Sequence, residues 1–125
     1  MVEFALILPA LLLVFFGCVQ AGLAFFEYEQ VASAANAGAR AAAVNRAGDP
    51  TTAARVAAKG ISPTLKLVDS QISVAYSSTA TPAGASWSYP GTTTVSVTHP
   101  VTLSLFGLFA TSIDLNATAT KRVER

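Results

Sequence analysis

Glu3, Cys18, Asp69, His99 and Asp114 carry the side chains of this sequence that chemistry most often recruits. A metal centre needs three or four converging ligands, and a nucleophile needs a base within hydrogen-bond reach. The chain has one histidine and one cysteine. His99 immediately precedes Pro100 on the apolar-facing parity of a strand, and it reads as a partly buried structural histidine. Cys18 lies inside an apolar run, where it reads as a small hydrophobe, and a lone cysteine forms no intrachain disulfide. Asp69 and Asp114 are expected on different strands as solvated positions, with nothing else to mark an acid/base pair. Asn116-Ala117-Thr118 spells a glycosylation triplet, a pattern common enough by chance to be discounted. No catalytic, cofactor-binding or metal site is expected, and the chain reads as a non-enzyme. Glu3 stands apart, because a carboxylate at the edge of an apolar segment is costly unless it is paired or reaches the interface.

That apolar segment is the strongest element in the sequence. From Phe4 to Phe26 there is no Asp, Glu, Lys or Arg, and Gln20 is the only strongly polar side chain. At a rise of about 1.5 Å per residue, such a helix spans a hydrocarbon core of about 30 Å. A cleaved secretory signal fits poorly, since no basic residue precedes the run and the run is too long. Gly17-Cys18 has the form of a lipidation signal, yet apolar residues continue beyond it to Phe26 and the basic start is again missing. Every Lys and Arg follows the span, beginning with Arg40 and Arg46. Taken literally, the positive-inside rule then places the C-terminal part in the cytoplasm. A basic leader preceding Met1 would reverse that, and the two topologies stay open on residues alone. A net charge of +1, with Lys121-Arg122 as the densest basic cluster, gives no support for nucleic-acid binding.

Three segments follow: a transmembrane N-terminal helix half (1–26), an external Ala-rich continuation of that helix (27–48), and a small α+β external domain (49–125). In the continuation, Glu29, Ser33, Asn36 and Arg40 form a polar stripe, while Val31, Ala35, Ala39 and Ala42 make a second face of small residues. Such a face lets neighbouring backbones approach closely, so Ala35, Ala39 and Ala42 are the expected helix-packing positions. Gly48-Asp49-Pro50 is expected to stop this helix. A short helix capped by Thr51 or Thr52 should run to Lys59, with Gly60 ending it. Alternation then predicts three antiparallel strands. The first has Val68, Ile72, Val74 and Tyr76 on one face; the second has Val95, Val97, Val101, Leu103 and Leu105; the third has Ile113, Leu115, Ala117 and Ala119. Residues 77–91 read as a loop whose Trp87 and Tyr89 either fold back over a small core, the favoured reading, or form an exposed aromatic contact surface, and 106–109 as an apolar turn. A three-stranded sheet with one apolar face needs a cover, and the helix at 27–46 is the natural one.

The string Val2-Glu3-Phe4-Ala5-Leu6-Ile7-Leu8-Pro9, followed by a leucine run, Ala21-Gly22 and Ala37-Gly38-Ala39-Arg40, resembles the TadE family. The close of the chain, residues 117–124, also resembles the end of that family's strand-rich domain. These are small pilin-like proteins of the bacterial tight-adherence (Tad, or Flp) pilus machinery. The resemblance implies a minor pilin or pseudopilin acting in pilus biogenesis, surface adhesion and biofilm formation. It implies an inner-membrane, single-pass chain with a periplasmic C-terminal domain, able to enter an extracellular fibre. The implied partners are other pilins, Tad assembly proteins and a prepilin peptidase. That peptidase cuts after a Gly, normally four residues before the acidic position that Glu3 matches. Only Met1 and Val2 precede Glu3 here, so the resemblance places the cut upstream of Met1. It also implies a role for Glu3 in pairing with a neighbouring subunit's N-terminal amine. From the residues alone, a membrane-tethered periplasmic binding module unrelated to pili is the alternative.

Overall fold

The computed structural model describes residues 2–45, 49–78, 91–105 and 109–123. It has the expected α+β composition. Helix α1 (Val2–Val44) is followed by α2 (Pro50–Ile61), two 3-10 turns (Pro63–Leu65 and Asp69–Gln71), and strands β1 (Ile72–Ser78), β2 (Gly91–Leu105) and β3 (Phe109–Arg122). The strands form one antiparallel sheet in the order β1-β2-β3.

Helix α1 is 43 residues long and continuous through Pro9. Its cause is composition: Leu and Ala dominate, and a proline in the second turn removes few backbone bonds. The helix ends at Val44, short of Gly48-Asp49-Pro50. Asp49 and Pro50 instead begin the next helix. Asp49 is the N-cap of α2, its carboxylate accepting from the Thr51 and Thr52 amides at 3.1 and 3.2 Å, and Pro50 opens the helix. The missing proline N–H costs nothing at that position. The expected cap at Thr51 or Thr52 is therefore corrected to Asp49, whose two carboxylate oxygens each accept from one of the amides. Thr52 contributes differently, donating its hydroxyl to the same carboxylate at 2.7 Å.

The first strand also begins later than alternation suggests. Val68 is half exposed and precedes the 3-10 turn Asp69–Gln71, where its N–H donates to the Gln71 side chain at 3.0 Å. The strand face starts at Ile72, which is 2% exposed. Trp87 and Tyr89, with the turn residues Phe106, Gly107 and Leu108, lie outside the described residues.

The core is thin and built from small side chains. Val31, Ala34, Ala35, Ala39 and Ala42 of α1 meet Ala54 and Ala58 of α2 and Ile72, Val95, Val97, Ala117 and Ala119 of the sheet. The polar stripe Glu29, Ser33, Asn36 and Arg40 faces outward. Gly38 shows how close the layers come. A Cβ there would lie 3.1 Å from the Ala54 carbonyl oxygen and 3.3 Å from Val95 Cγ1. Ser62, buried after α2, donates its hydroxyl to the Gln30 carbonyl at 3.1 Å and fixes the return of the chain onto α1.

Strand β2 outruns β1. Their pairing ends at Ile72↔Val97, whereas β2 continues beside β3 to Leu105↔Phe109. Pro100 falls in this stretch, where among the described residues β2 has a strand on one side only and a missing ladder donor is tolerated. The outer face of the hairpin is threonine-rich, with Thr94–Thr120 and Ser96–Thr118 hydroxyl pairs each at 3.0 Å.

Candidate functional site

The surface that most needs an explanation is the N-terminal half of α1. Phe4, Leu6, Leu11, Phe15, Phe25 and Phe26 are all exposed, Phe4 by 79%. Of the most apolar 18-residue window of this helix, nothing is buried among the described residues. Burying a Leu or Phe side chain is worth about 2 kcal/mol, so water is the wrong neighbour for this surface. Helix α1 is long and apolar enough to cross a membrane by length and composition. Cys18 is exposed on the same surface. Glu3 lies in the first turn, exposed, at the helix end where a carboxylate complements the macrodipole.

The packing alanines occupy a different environment. Ala35 and Ala39 are fully buried and Ala42 is 1% exposed, all within this chain's own core. The close approach they allow is to this chain's own sheet and α2. Sequence reasoning placed the small face on the cover helix and read its spacing, but the partner it meets is intramolecular.

Strand β2 runs antiparallel to α1. Val95 lies against Gly38, and at the other end Gln20 donates its side-chain amide to the Ser104 carbonyl. The step lengths agree: nine strand residues cover about 30 Å and eighteen helical residues about 27 Å. A groove between the two elements is lined by Gln20, Leu23, Ala24 and Glu27 on one side and residues 101–104 on the other. Sequence reading singled out Gln20 as the polar exception of the apolar run but had no means of finding Ser104, 84 residues away.

The titratable residues are dispersed. Asp69 is in a 3-10 turn, not on a strand, and its carboxylate meets Lys59 Nζ at 2.8 Å. The hydrogen bond from Lys59 holds its pKa below the ordinary carboxylate value. Asp114 is exposed on β3 opposite Pro100, and among the described residues no hydrogen bond or ion pair joins it to Asp69. Asp49 also titrates low, first because Thr52 donates its hydroxyl and then because the Thr51 amide does the same. Tyr76 donates to or accepts from Thr51 Oγ1 at 3.1 Å, and its pKa is raised chiefly by burial. His99 is half buried opposite Leu115, and its Nδ1 has no hydrogen-bond partner among the described residues. No group of three or more His, Cys, Asp or Glu side chains among the described residues is placed to hold a metal.

Comparison with known proteins bears on the exposed helix. A protein-family model described as TadE-like protein matches residues 1–40. No curated protein and no solved structure matches the chain significantly. The matched segment contains Glu3, the exposed apolar run from Phe4 to Phe26 and the first buried alanines, so the likeness to that family rests on these N-terminal 40 residues.

Proposed function

We propose that this chain is a minor pilin or pseudopilin of a Tad-type system, held in the inner membrane with its sheet domain on the periplasmic side. The observation that carries this reading is the two-part helix. One continuous rod offers large apolar side chains to its surroundings over its first half and is welded to a small sheet over its second. An apolar helix free along one half can sit in lipid and later exchange lipid for the helices of other subunits. The role is assembly: helix packing inside, and a presented domain outside, in building a fibre used for adhesion and biofilm formation. On this reading Glu3, in the first turn of α1, meets the N-terminal amine of a neighbouring subunit and sets stagger between helices.

The test is mass spectrometry of the mature N-terminus, after expression of the gene with its upstream sequence beside a prepilin peptidase. The expected product starts two residues before Met1 and is not formed without the peptidase. An N-terminus that ignores the peptidase would remove the pilin reading and leave a tethered periplasmic module. Glu3→Gln should leave insertion intact while reducing recovery of this chain with co-expressed pilins.

A further inference from the structure

The sheet packs along α1 so that one end of it reaches the apolar half of the helix. Two charge boundaries coincide in space. On α1, no Asp, Glu, Lys or Arg occurs from Phe4 until Glu27. On the β2–β3 hairpin, none occurs from Gly91 through Ile113, and the first, Asp114, pairs with Pro100. Glu27 lines the same groove as Val101, the residue after Pro100. The charge-free end of the hairpin thus lies beside the last turns of the charge-free helix, with Gln20 bonded to the Ser104 carbonyl.

Helix length makes this overlap consequential. From Phe4 to Gln20 the rod rises about 24 Å, short of the roughly 30 Å of a hydrocarbon core. A core of full thickness starting at Phe4 reaches about Ala24, which lies on the groove wall. Tilting the helix uses still more residues for the same depth and strengthens the overlap. Depth in the other direction is limited by the sheet. Among the described residues, β2 has no strand neighbour on its β1 side beyond Val97, and β3 is an edge strand throughout. Open edges carry unpaired backbone groups that hydrocarbon does not tolerate.

We infer that the end of the β2–β3 hairpin, around Leu103 and Thr111, lies in the boundary layer between headgroups and acyl chains of the outer leaflet, beside its own transmembrane helix. The partner is a lipid surface. The short free length of α1 below the hairpin is then met by local thinning of the bilayer.

This inference rests on the membrane reading of α1, and the experiment separates the two. The full chain carrying Cys18→Ala is reconstituted in phosphatidylethanolamine/phosphatidylglycerol vesicles with single nitroxide labels at Leu12→Cys, Thr111→Cys or Thr92→Cys. All three native residues are exposed in the chain. Collision with oxygen, which partitions into lipid, is compared with collision with a water-soluble nickel chelate. The expected order is Leu12 in the lipid interior, Thr111 at intermediate depth, and Thr92, at the far end of the hairpin, in water. Leu12 in lipid with Thr111 as aqueous as Thr92 would overturn the inference and leave the membrane reading standing. Leu12 in water would overturn both. A Thr111 label shielded from both reagents would replace lipid by a protein neighbour and overturn the inference as well.

Discussion

The two halves of α1 use apolar residues in opposite ways. In the first half the side chains are large and exposed, with Leu6 at 77% and Phe25 at 64%. In the second they are small and buried, with Val31, Ala35 and Ala39 at 0%. A large side chain can find its apolar environment in any fluid phase. An alanine gains little from lipid and stabilises mainly by letting another backbone come near. The glycines divide the same way. Among the described residues, nothing lies within 4 Å of where a Cβ would stand on Gly17 or Gly22, whereas Gly38 is in tight contact with α2 and β2.

Substitution can break this contrast. Leu12→Arg is expected to cost about 3 kcal/mol of membrane insertion while leaving the urea midpoint of the sheet domain unchanged in detergent; an insertion assay and circular dichroism read the two separately. Gly38→Val should do the reverse. Its new methyls meet a backbone carbonyl and Val95, and overpacking of this kind costs about 2 kcal/mol of domain stability. Gly22→Val is the matched control, expected to shift the same midpoint by less than about 0.5 kcal/mol. Equal losses at the two glycines would show that the halves are not distinct.

Smaller effects sharpen the picture on the domain side. Asp49→Ala removes the α2 cap and should lower the thermal midpoint without altering insertion. Because hydrogen bonds depress the Asp49 pKa below its ordinary 3.8, its contribution is complete above that value and is lost as pH falls through the lower folded-state value. The difference between Asp49→Ala and the native chain should therefore narrow on acidification below about pH 4, as thermal scans at several pH values would record. Last comes the Thr94–Thr120 pair. Replacing both by Val should change stability by about 0.5 kcal/mol in a double-mutant cycle, because the pair sits on the outer face.

Much of this was legible from residue types. The apolar run, the polar stripe, the alanine face and the strand parities of Val95, Val97, Ala117 and Ala119 all follow from local periodicity. The misses have physical reasons. Asp49-Pro50 looks like a stop when read from the preceding helix, yet the same two residues are a strong start for the next. Val68 has strand parity, but Gln71 closes a 3-10 turn beneath it. The Gln20–Ser104 contact was invisible because sequence spacing carries no information on which strand lies along a helix, or how far down. For the candidate site, the apolar run was legible in the sequence, whereas the contact of the hairpin with that run at Gln20 was not.

The absence of a break in α1 between its two halves has a mechanical consequence. A 43-residue helix is a strut of about 65 Å, and nothing like a swivel separates anchor from head. Leaning the strut by about 20° swings its far end by about 22 Å, so the orientation of the sheet is geared directly to the lean of the anchor. Any machine that grips the apolar end would steer the sheet-bearing end through leverage alone.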